Sequence, residues 1–477
     1  MRSWRRPRSG YGIRVLRLYD TASGTVTPLQ LRDPGDVSMY VCGLTVYDVP
    51  HIGHGRAALV FDVLRRYLEF SGLRVRHVSN VTDIDDKIIN RAATEGRAPE
   101  EVAEQYEEVW WQAVDALGVL RPTDAPHATA FVEKMVALIE ELVRSGAAYE
   151  TSDGVYLSVE KVDGYGLLAH QGLDSLRAGA RVEVGEEKRS PLDFVLWKKA
   201  KPGEPTWGSP WGPGRPGWHT ECVVMSLELL GDGFDLHGGG IDLVFPHHEN
   251  ERAQAVVWGR PFARHWAHHG LVTVGDEKMA KSLGNYTTLT DLLANTDPRA
   301  YRLLVLRAHY RSPIEVTAAT LADAEEGLAR LDALARRFEL APTLAAVTAA
   351  EAPGAGVDPV VLAAFTARMD DDLDTPAAVA GLFDLVRRAN TAADAGREDV
   401  ARALATTVAV LAGALGLELG SGRAEIDEAS AALVRQRDHA RAGRDWARAD
   451  EIRERLEAEG WTVEDTSEGT RLHRRGG

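Results

Sequence analysis

The sequence predicts an α/β fold: a parallel β-sheet covered by helices, with an inserted segment, then an α-helical bundle and a small α+β C-terminal domain. Three observations lead there. In the first half, short β-branched runs alternate with helical patterns, as a parallel sheet with crossover helices requires. A stretch holding Pro202, Pro205, Pro210, Pro213 and Pro216 among glycines breaks that alternation. Beyond about residue 317 the chain turns rich in Ala, Leu and charge at helical spacing.

Residues 37–42 read as a buried strand, and 55–70 as an amphipathic helix with Leu59, Val63, Leu64, Tyr67 and Leu68 on one face. Residues 75–81 form a second strand. Thr82 stands where an N-cap would start a helix through Ile88 and Ile89. Helical patterns run on to about Ser145. Strand-like pieces at 155–159 and 193–197 lead into the Pro/Gly run, which reads as a surface excursion inserted between two halves of the sheet. A helix opens at Gly217 and runs to Leu230, a strand covers 234–237, and another helix begins near Pro246. Residues 321–338 make one amphipathic helix, and 341–358 read as a linker. Thr375 followed by Pro376 reads as a hydroxyl N-cap before a helix-starting proline. The last segment, 431–477, carries two helical patterns and a hairpin across 461–473.

Composition bounds the function classes. The chain has 477 residues, 44% of them hydrophobic, with 55 Lys+Arg against 71 Asp+Glu for a net charge of −16. Such values exclude a disordered, collagenous or disulfide-built protein. The two cysteines, Cys42 and Cys222, form no C-x-x-C pair, so neither a secreted disulfide framework nor a zinc finger is expected. Arg2, Arg5, Arg6 and Arg8 are followed by no apolar segment, which argues for a disordered basic extension over residues 1–14 rather than a signal peptide. No apolar run reaches membrane-spanning length. A soluble, cytoplasmic protein is the expectation. Net acidity disfavours indiscriminate nucleic-acid binding but leaves room for a local basic face. The tail 431–477, with ten Arg against ten acidic residues, escapes the general acidity.

Three constellations carry chemistry. His51-Ile52-Gly53-His54-Gly55 lies between a strand and the helix it feeds, where free N–H groups, two imidazoles and a close backbone approach suit a nucleotide phosphate. Lys278-Met279-Ala280-Lys281-Ser282 puts two lysines three apart, able to neutralise a departing pyrophosphate. Each alone is an ordinary surface pattern. In this order, separated by half a sheet, they resemble the two signature motifs of class I aminoacyl-tRNA synthetases. Ala280 replaces the usual serine. The third is a metal-ligand pattern: His247 and Glu251 form an i, i+4 pair, and Cys42 and Cys222 add two thiolates, a donor set that suits Zn²⁺. Two buried apolar cysteines would give the same sequence.

Met39-Tyr40-Val41-Cys42-Gly43, Thr82-Asp83-Ile84-Asp85-Asp86-Lys87, Gly217-Trp218-His219-Thr220-Glu221-Cys222 and His237-Gly238-Gly239-Gly240-Ile241-Asp242 resemble the cysteinyl-tRNA synthetase family over nearly the whole chain. The resemblance implies one Zn²⁺ per chain on Cys42, Cys222, His247 and Glu251, and Mg²⁺ brought with ATP. It implies catalytic roles for His51, His54, Lys278 and Lys281. ATP contacts are implied at His51, Gly53, His54, Gly238, Gly239, Gly240 and Lys281. Substrate contacts are implied at Gly43, Thr82, Trp218 and Asp242, although Thr82 could equally cap its helix. Asp83, Asp85 and Asp86 read as a negatively charged helix start rather than a second metal site.

The implied divisions are a Rossmann-like catalytic domain at 15–316 with its insertion at about 120–216, a tRNA-binding helical bundle at 317–424, and an anticodon-binding domain at 425–477. The implied reaction activates L-cysteine with ATP and transfers it to the 3′-terminal adenosine of tRNA(Cys), zinc selecting the substrate thiolate so that no editing domain is needed. A monomer is expected. Leu472 occupies a position where an aromatic able to stack on a base would be expected. Two alternatives are a cysteine ligase of mycothiol synthesis, which needs no anticodon domain, and a non-catalytic tRNA-binding relative.

Overall fold

The computed structural model describes residues 16–173, 175–176, 187–274, 277–278, 287–420, 428–466 and 469–474. The basic extension therefore lies outside the described residues, as do Lys281, Ala280, Ser467 and Glu468.

A β1–β2 hairpin (Arg17–Asp20, Thr25–Pro28) precedes β3 (Asp36–Thr45), helix α1 (Ile52–Phe70) and β4 (Arg74–Thr82). Their alternation builds a parallel sheet completed by β9 (Leu236–Gly240) and β10 (His265–His269), in the order β10-β9-β3-β4. Tyr40 pairs with Val78 on one side and His237 on the other, so β3 is central and doubly covered. The β3–β4 register shifts between Val41 and Leu44. Gly43 sits at that irregularity, where a Cβ would lie 1.6 Å from the Asn80 carbonyl. Only glycine allows so close a backbone approach.

Helices α2 (Asp86–Glu95), α3 (Pro99–Ala116) and α4 (Val132–Arg144) follow β4. Thr82 is the last residue of that strand, not an N-cap: the cap is Asp85, whose carboxylate accepts the Lys87 N–H at 2.9 Å. A hydroxyl three residues farther back cannot reach the first turn.

The insertion is an antiparallel sheet, β5 (Ala148–Glu150), β6 (Gly154–Leu157), β7 (Phe194–Lys199) and β8 (Gly214–Pro216), in that order. The Pro/Gly run thus supplies a strand. Buried Trp211 packs its ring 6.3 Å from that of Trp197, so the run is only partly a surface excursion.

The chain returns to the parallel sheet through α5 (Trp218–Leu230), β9, α6 (Glu249–Trp258) and β10. The glycines 238–240 do not follow a strand; they are its last three residues. Next come β11 (Val272–Val274), which pairs with β12 (Glu277–Lys278), helices α7 (Leu289–Asn295) and α8 (Pro298–Leu306), and β13 (Ile314–Glu315), which pairs with β11 in parallel.

Thr317 caps α9 (Ala318–Phe338) with its hydroxyl on the Thr320 N–H. It opens a bundle completed by α10 (Pro359–Met369), α11 (Thr375–Asp394) and α12 (Glu398–Ala414). The segment 341–358 is more than a linker. It contains a 3₁₀ turn at Pro342–Ala346 and buries Ala352 and Val357 in the core. The cap of α11 is Asp374, which accepts the Ala377 N–H at 3.2 Å, while Thr375 is already helical and buried. A carboxylate one residue earlier outcompetes the hydroxyl for the same orphan donors. Leu59 and Tyr67 of α1 share one hydrophobic cluster with Leu331 of α9, Leu382 of α11 and Leu411 of α12, so bundle and sheet bury a continuous core.

Helices α13 (Glu428–Ala442) and α14 (Trp446–Ala458) and the hairpin β14–β15 (Trp461–Thr466, Gly469–Arg474) have their own core of Leu433, Ile452, Leu456, Trp461, Val463 and Leu472. Leu472 faces inward, 2% exposed. Its position is a packing position, and an aromatic there would not be presented to a base.

Candidate metal and nucleotide site

The carboxyl ends of β3 and β9, the first turns of α1, α5 and α6, and the turn before α6 converge, the place where open parallel sheets bind ligands. At its floor stand Cys42, Cys222, His247 and Glu251, whose donor atoms lie within 4.8 Å of one another. The spacing suits a zinc ion. With Zn–S of about 2.3 Å and Zn–N or Zn–O of about 2.0–2.1 Å, tetrahedral edges are about 3.8 Å for S–S, about 3.5 Å for S–N or S–O, and about 3.4 Å for N–O. The Sγ atoms are 3.7 Å apart, Cys222 Sγ is 3.6 Å from His247 Nε2, and Cys42 Sγ is 3.5 Å from Glu251 Oε1. The His247–Glu251 edge, 3.0 Å, is shorter, because the two ionise against each other as a salt bridge.

The electrostatics point the same way. Burial pushes the Cys42 thiol well up, whereas its hydrogen bond to Cys222 draws that second thiol down to about 6. Burial opposes ionisation of Glu251, but His237 and His247 overturn it and hold the carboxylate well below its usual range. Burial likewise opposes a charged His247, and Glu251 with Cys222 raises it to about 10. The buried negative charge is thus balanced by a proton on His247, the place for which a divalent cation competes.

Four surrounding residues were not singled out by sequence reasoning. His237 Nε2 bonds Glu251 Oε2 at 2.7 Å. His219 Nδ1 faces His247 Nδ1 at 2.8 Å, so each ligand has an outer partner fixing its orientation. His248 lies 3.3 Å from Cys42 Sγ and leans through Nδ1 on His268 at 2.7 Å. Asn80 Oδ1 accepts from the Gly43 N–H at 2.9 Å and from the Tyr40 hydroxyl at 3.0 Å. Cys42, His237, His248 and Glu251 form a second four-donor group, which holds one thiolate where the first holds two and in which His237 is hydrogen-bonded to Glu251 Oε2 at 2.7 Å. The i, i+3 spacing of His248 and Glu251 was the available signal.

Above the floor, Trp218 stacks on His247 with ring centroids 3.9 Å apart. Asp242 is exposed on the turn after β9. Thr82 is buried; its hydroxyl donates to Glu221 at 2.8 Å and accepts from Asn80 at 3.1 Å, so it stands behind the site. Phe61 and His248 fill the space a side chain would need at Gly238 and Gly239, and at Gly240 a Cβ would lie 2.4 Å from Asp242 Oδ1, so the strand end is lined by that carboxylate.

His51 caps α1, and its ring stacks on that of His54 at 3.6 Å. His54 Nδ1 accepts the His51 N–H at 3.2 Å. Burial, with His51 and Lys87, holds the His54 imidazole well below its usual value, so it is neutral and its proton sits on Nε2, a donor free of net charge. Gly53 follows in the same first turn. Lys278 lies on β12, its backbone paired with Thr273.

Residues 28–326 match the family model for the tRNA synthetases class I (C) catalytic domain, and 364–420 match the DALR domain. A cysteine–tRNA ligase of Chromobacterium violaceum is 47% identical, covering 96% of this chain and 99% of its own. One of Syntrophotalea carbinolica is 44% identical, covering 95% and 98%. Among solved structures, methionyl-tRNA synthetase of Mycobacterium tuberculosis with methionyl-adenylate superposes at TM-score 0.54 and 18% identity, covering 80% of this chain and 89% of that one. The leucyl-tRNA synthetase of an Agrobacterium radiobacter K84 ternary complex does so at TM-score 0.57 and 11% identity, covering 81% and 85%. These two share the fold.

Proposed function

The chain belongs to the cysteine–tRNA ligase family of class I aminoacyl-tRNA synthetases and attaches cysteine to tRNA(Cys), and on that premise we propose how its residues divide the work. The reading rests on one observation above all: Cys42, Cys222, His247 and Glu251 bring their donor atoms within 4.8 Å of one another, with Cys42 on the strand that feeds α1. Zinc held there would supply a thiophilic Lewis acid that favours the substrate's sulfur, as thiolate, over a serine hydroxyl.

Trp218 walls the amino-acid pocket, Gly43 lets the substrate approach the backbone, and the exposed Asp242 carboxylate pairs with its ammonium. Gly240 and Gly53 leave room for the nucleotide, which arrives with Mg²⁺. His54 donates through Nε2, and His51 together with the N–H groups of α1 completes a cradle for the phosphates. The substrate carboxylate attacks the α-phosphorus, cysteinyl-adenylate forms, and pyrophosphate leaves toward Lys278 and Lys281. A ribose hydroxyl of the terminal adenosine then attacks the adenylate carbonyl, releasing AMP. No protein nucleophile is needed; positioning and charge stabilisation carry the rate.

The helical bundle and the C-terminal unit would hold the tRNA, with the arginines of the tail near its phosphates. No helix among the described residues is long and apolar enough to cross a membrane. We read the enzyme as a cytoplasmic monomer.

The test is ATP–pyrophosphate exchange with cysteine and with serine, followed by charging of tRNA(Cys). Exchange that prefers cysteine by about 10⁴ or more supports the selection argument. A preference under a hundredfold would overturn it.

A further inference from the structure

The guanidinium of Arg56, one turn into α1 and 1% exposed, has no carboxylate within ion-pair range among the described residues. Its partners are backbone carbonyls. Nη1 donates to Leu271 at 2.7 Å, and Nη2 donates to Tyr310 at 3.0 Å and to Ser312. A buried cation without a counter-charge is costly, so its retention calls for a reason beyond filling space. Leu271 is the residue before β11, and Tyr310 and Ser312 precede β13. The Leu271 carbonyl also accepts the Ile314 N–H at 3.0 Å, so Arg56 grips the root of the β11–β13 pair. Gly270 packs into the same knot: a Cβ there would lie 2.5 Å from the carbonyls of Arg311 and Ser312.

β11 leads directly into the strand carrying Lys278. The segment that follows returns at Thr287, and this return is also fastened to the start of α1. The Ile52 N–H donates to the Thr287 carbonyl at 3.3 Å, the Leu289 N–H to Pro50 at 2.7 Å, and the Tyr301 hydroxyl to Ile52 at 2.7 Å. The return side is held mainly by backbone. On the outgoing side, the described hydrogen bonds from α1 to the root of β11 and β13 are those of the Arg56 side chain.

We propose that Arg56 is a positioning residue for amino-acid activation: by clamping the carbonyls of Leu271, Tyr310 and Ser312 it fixes the root of β11 against α1, and so sets β12, the strand of Lys278, relative to His51 and His54. This rests on the assignment of those histidines and of Lys278 and Lys281 to ATP. Because Arg56 acts through backbone on one reactant only, its loss is felt in nucleotide chemistry and not in recognition of cysteine.

The experiment is ATP–pyrophosphate exchange on the zinc-loaded full chain for Arg56→Lys, Arg56→Met, Lys278→Ala and the Arg56→Lys/Lys278→Ala pair, with equilibrium cysteine binding alongside. Arg56→Lys keeps the charge but cannot span three carbonyls, so it tests the geometry even where Arg56→Met folds poorly. Exchange should fall about a hundredfold in Arg56→Lys, as for a displacement of roughly 1 Å, while cysteine affinity stays within threefold. In the Lys278→Ala background the same substitution should cost less than threefold, because the group carried by the strand it positions is gone. Multiplying losses in the double variant, exchange within threefold of the parent in Arg56→Lys, or a matching loss of cysteine affinity would each overturn the proposal. Full exchange in Lys278→Ala alone would instead sink the ATP assignment beneath it, which is how the two failures are told apart.

Discussion

The sulfurs of Cys42 and Cys222, 180 residues apart in the chain, stand 3.7 Å from each other across the end of β3 and the first turn of α5. That is a non-bonded separation, and it matches the edge of a thiolate pair on one small tetrahedral ion rather than a disulfide. Replacing Cys222 by Ala is expected to take metal content from one zinc per chain to near zero. Cysteine-dependent exchange should fall at least a hundredfold. Metal analysis on the purified variant, with the exchange assay beside it, checks both; a zinc-replete, active Cys222→Ala protein contradicts the assignment.

The His237–Glu251 bond offers a milder variant of the same test. His237→Gln leaves all four proposed ligands in place but removes the partner at 2.7 Å from Glu251. Zinc affinity should weaken about 10–100-fold, with metal still bound at saturating concentration, as a chelator competition would measure.

Asp62 and Arg302 form an ion pair at 2.5 Å with both side chains out of solvent, and Arg302 also donates to the carbonyls of Leu117 and Gly118. This node ties α1 to α8 and to the end of α3. Asp62→Ala strands a buried cation and is expected to cost about 3–5 kcal/mol. The apolar pair Asp62→Leu/Arg302→Met should lose less than either single change. Thermal unfolding of the three variants decides it.

His77 is 8% exposed and neither of its ring nitrogens has a hydrogen-bond partner among the described residues. Burial lowers its value to about 3. The unfolded chain therefore takes up this proton near the ordinary imidazole value and the folded chain does not. Stability from this group is full above about pH 6.5 and is lost as pH falls toward 3, at about 1.4 kcal/mol per unit. His77→Leu should flatten the slope and be about 2 kcal/mol better off than the parent at pH 5, relative to their difference at pH 8. Denaturant melts at the two pH values read the difference.

Leu472 tests the C-terminal unit. Leu472→Ala opens a cavity in a core of six buried side chains among the described residues, and about 2–5 kcal/mol of local stability should go. The expected signature is a raised KM for tRNA(Cys) with unchanged ATP–pyrophosphate exchange. A fall in exchange would mean the unit supports the catalytic sheet instead.

Much of this was legible in the residues. The alternation of strands and helices, the His51 turn feeding α1 and the His247–Glu251 pair are local patterns, set by periodicity, by free N–H groups and by i, i+4 spacing, whereas the two distant cysteines joined that pair only through the family resemblance. The misreadings were local too, but competitive. Asp85 and Asp374 took caps assigned to Thr82 and Thr375, because a carboxylate within reach wins the same orphan amides. A chain read alone offers both candidates and no geometry to choose between them.

Only the tertiary structure decided the rest. His237 ends up against Glu251, Asn80 beneath Gly43, and Arg56 on the carbonyls of a strand more than two hundred residues away. None of these pairings leaves a periodic trace, because each depends on which strand ends become neighbours when β9 inserts between β3 and β10. The side chains that hold the site in shape are chosen by what the fold places beside them. Helical spacing on one element carries no information about the next element in space.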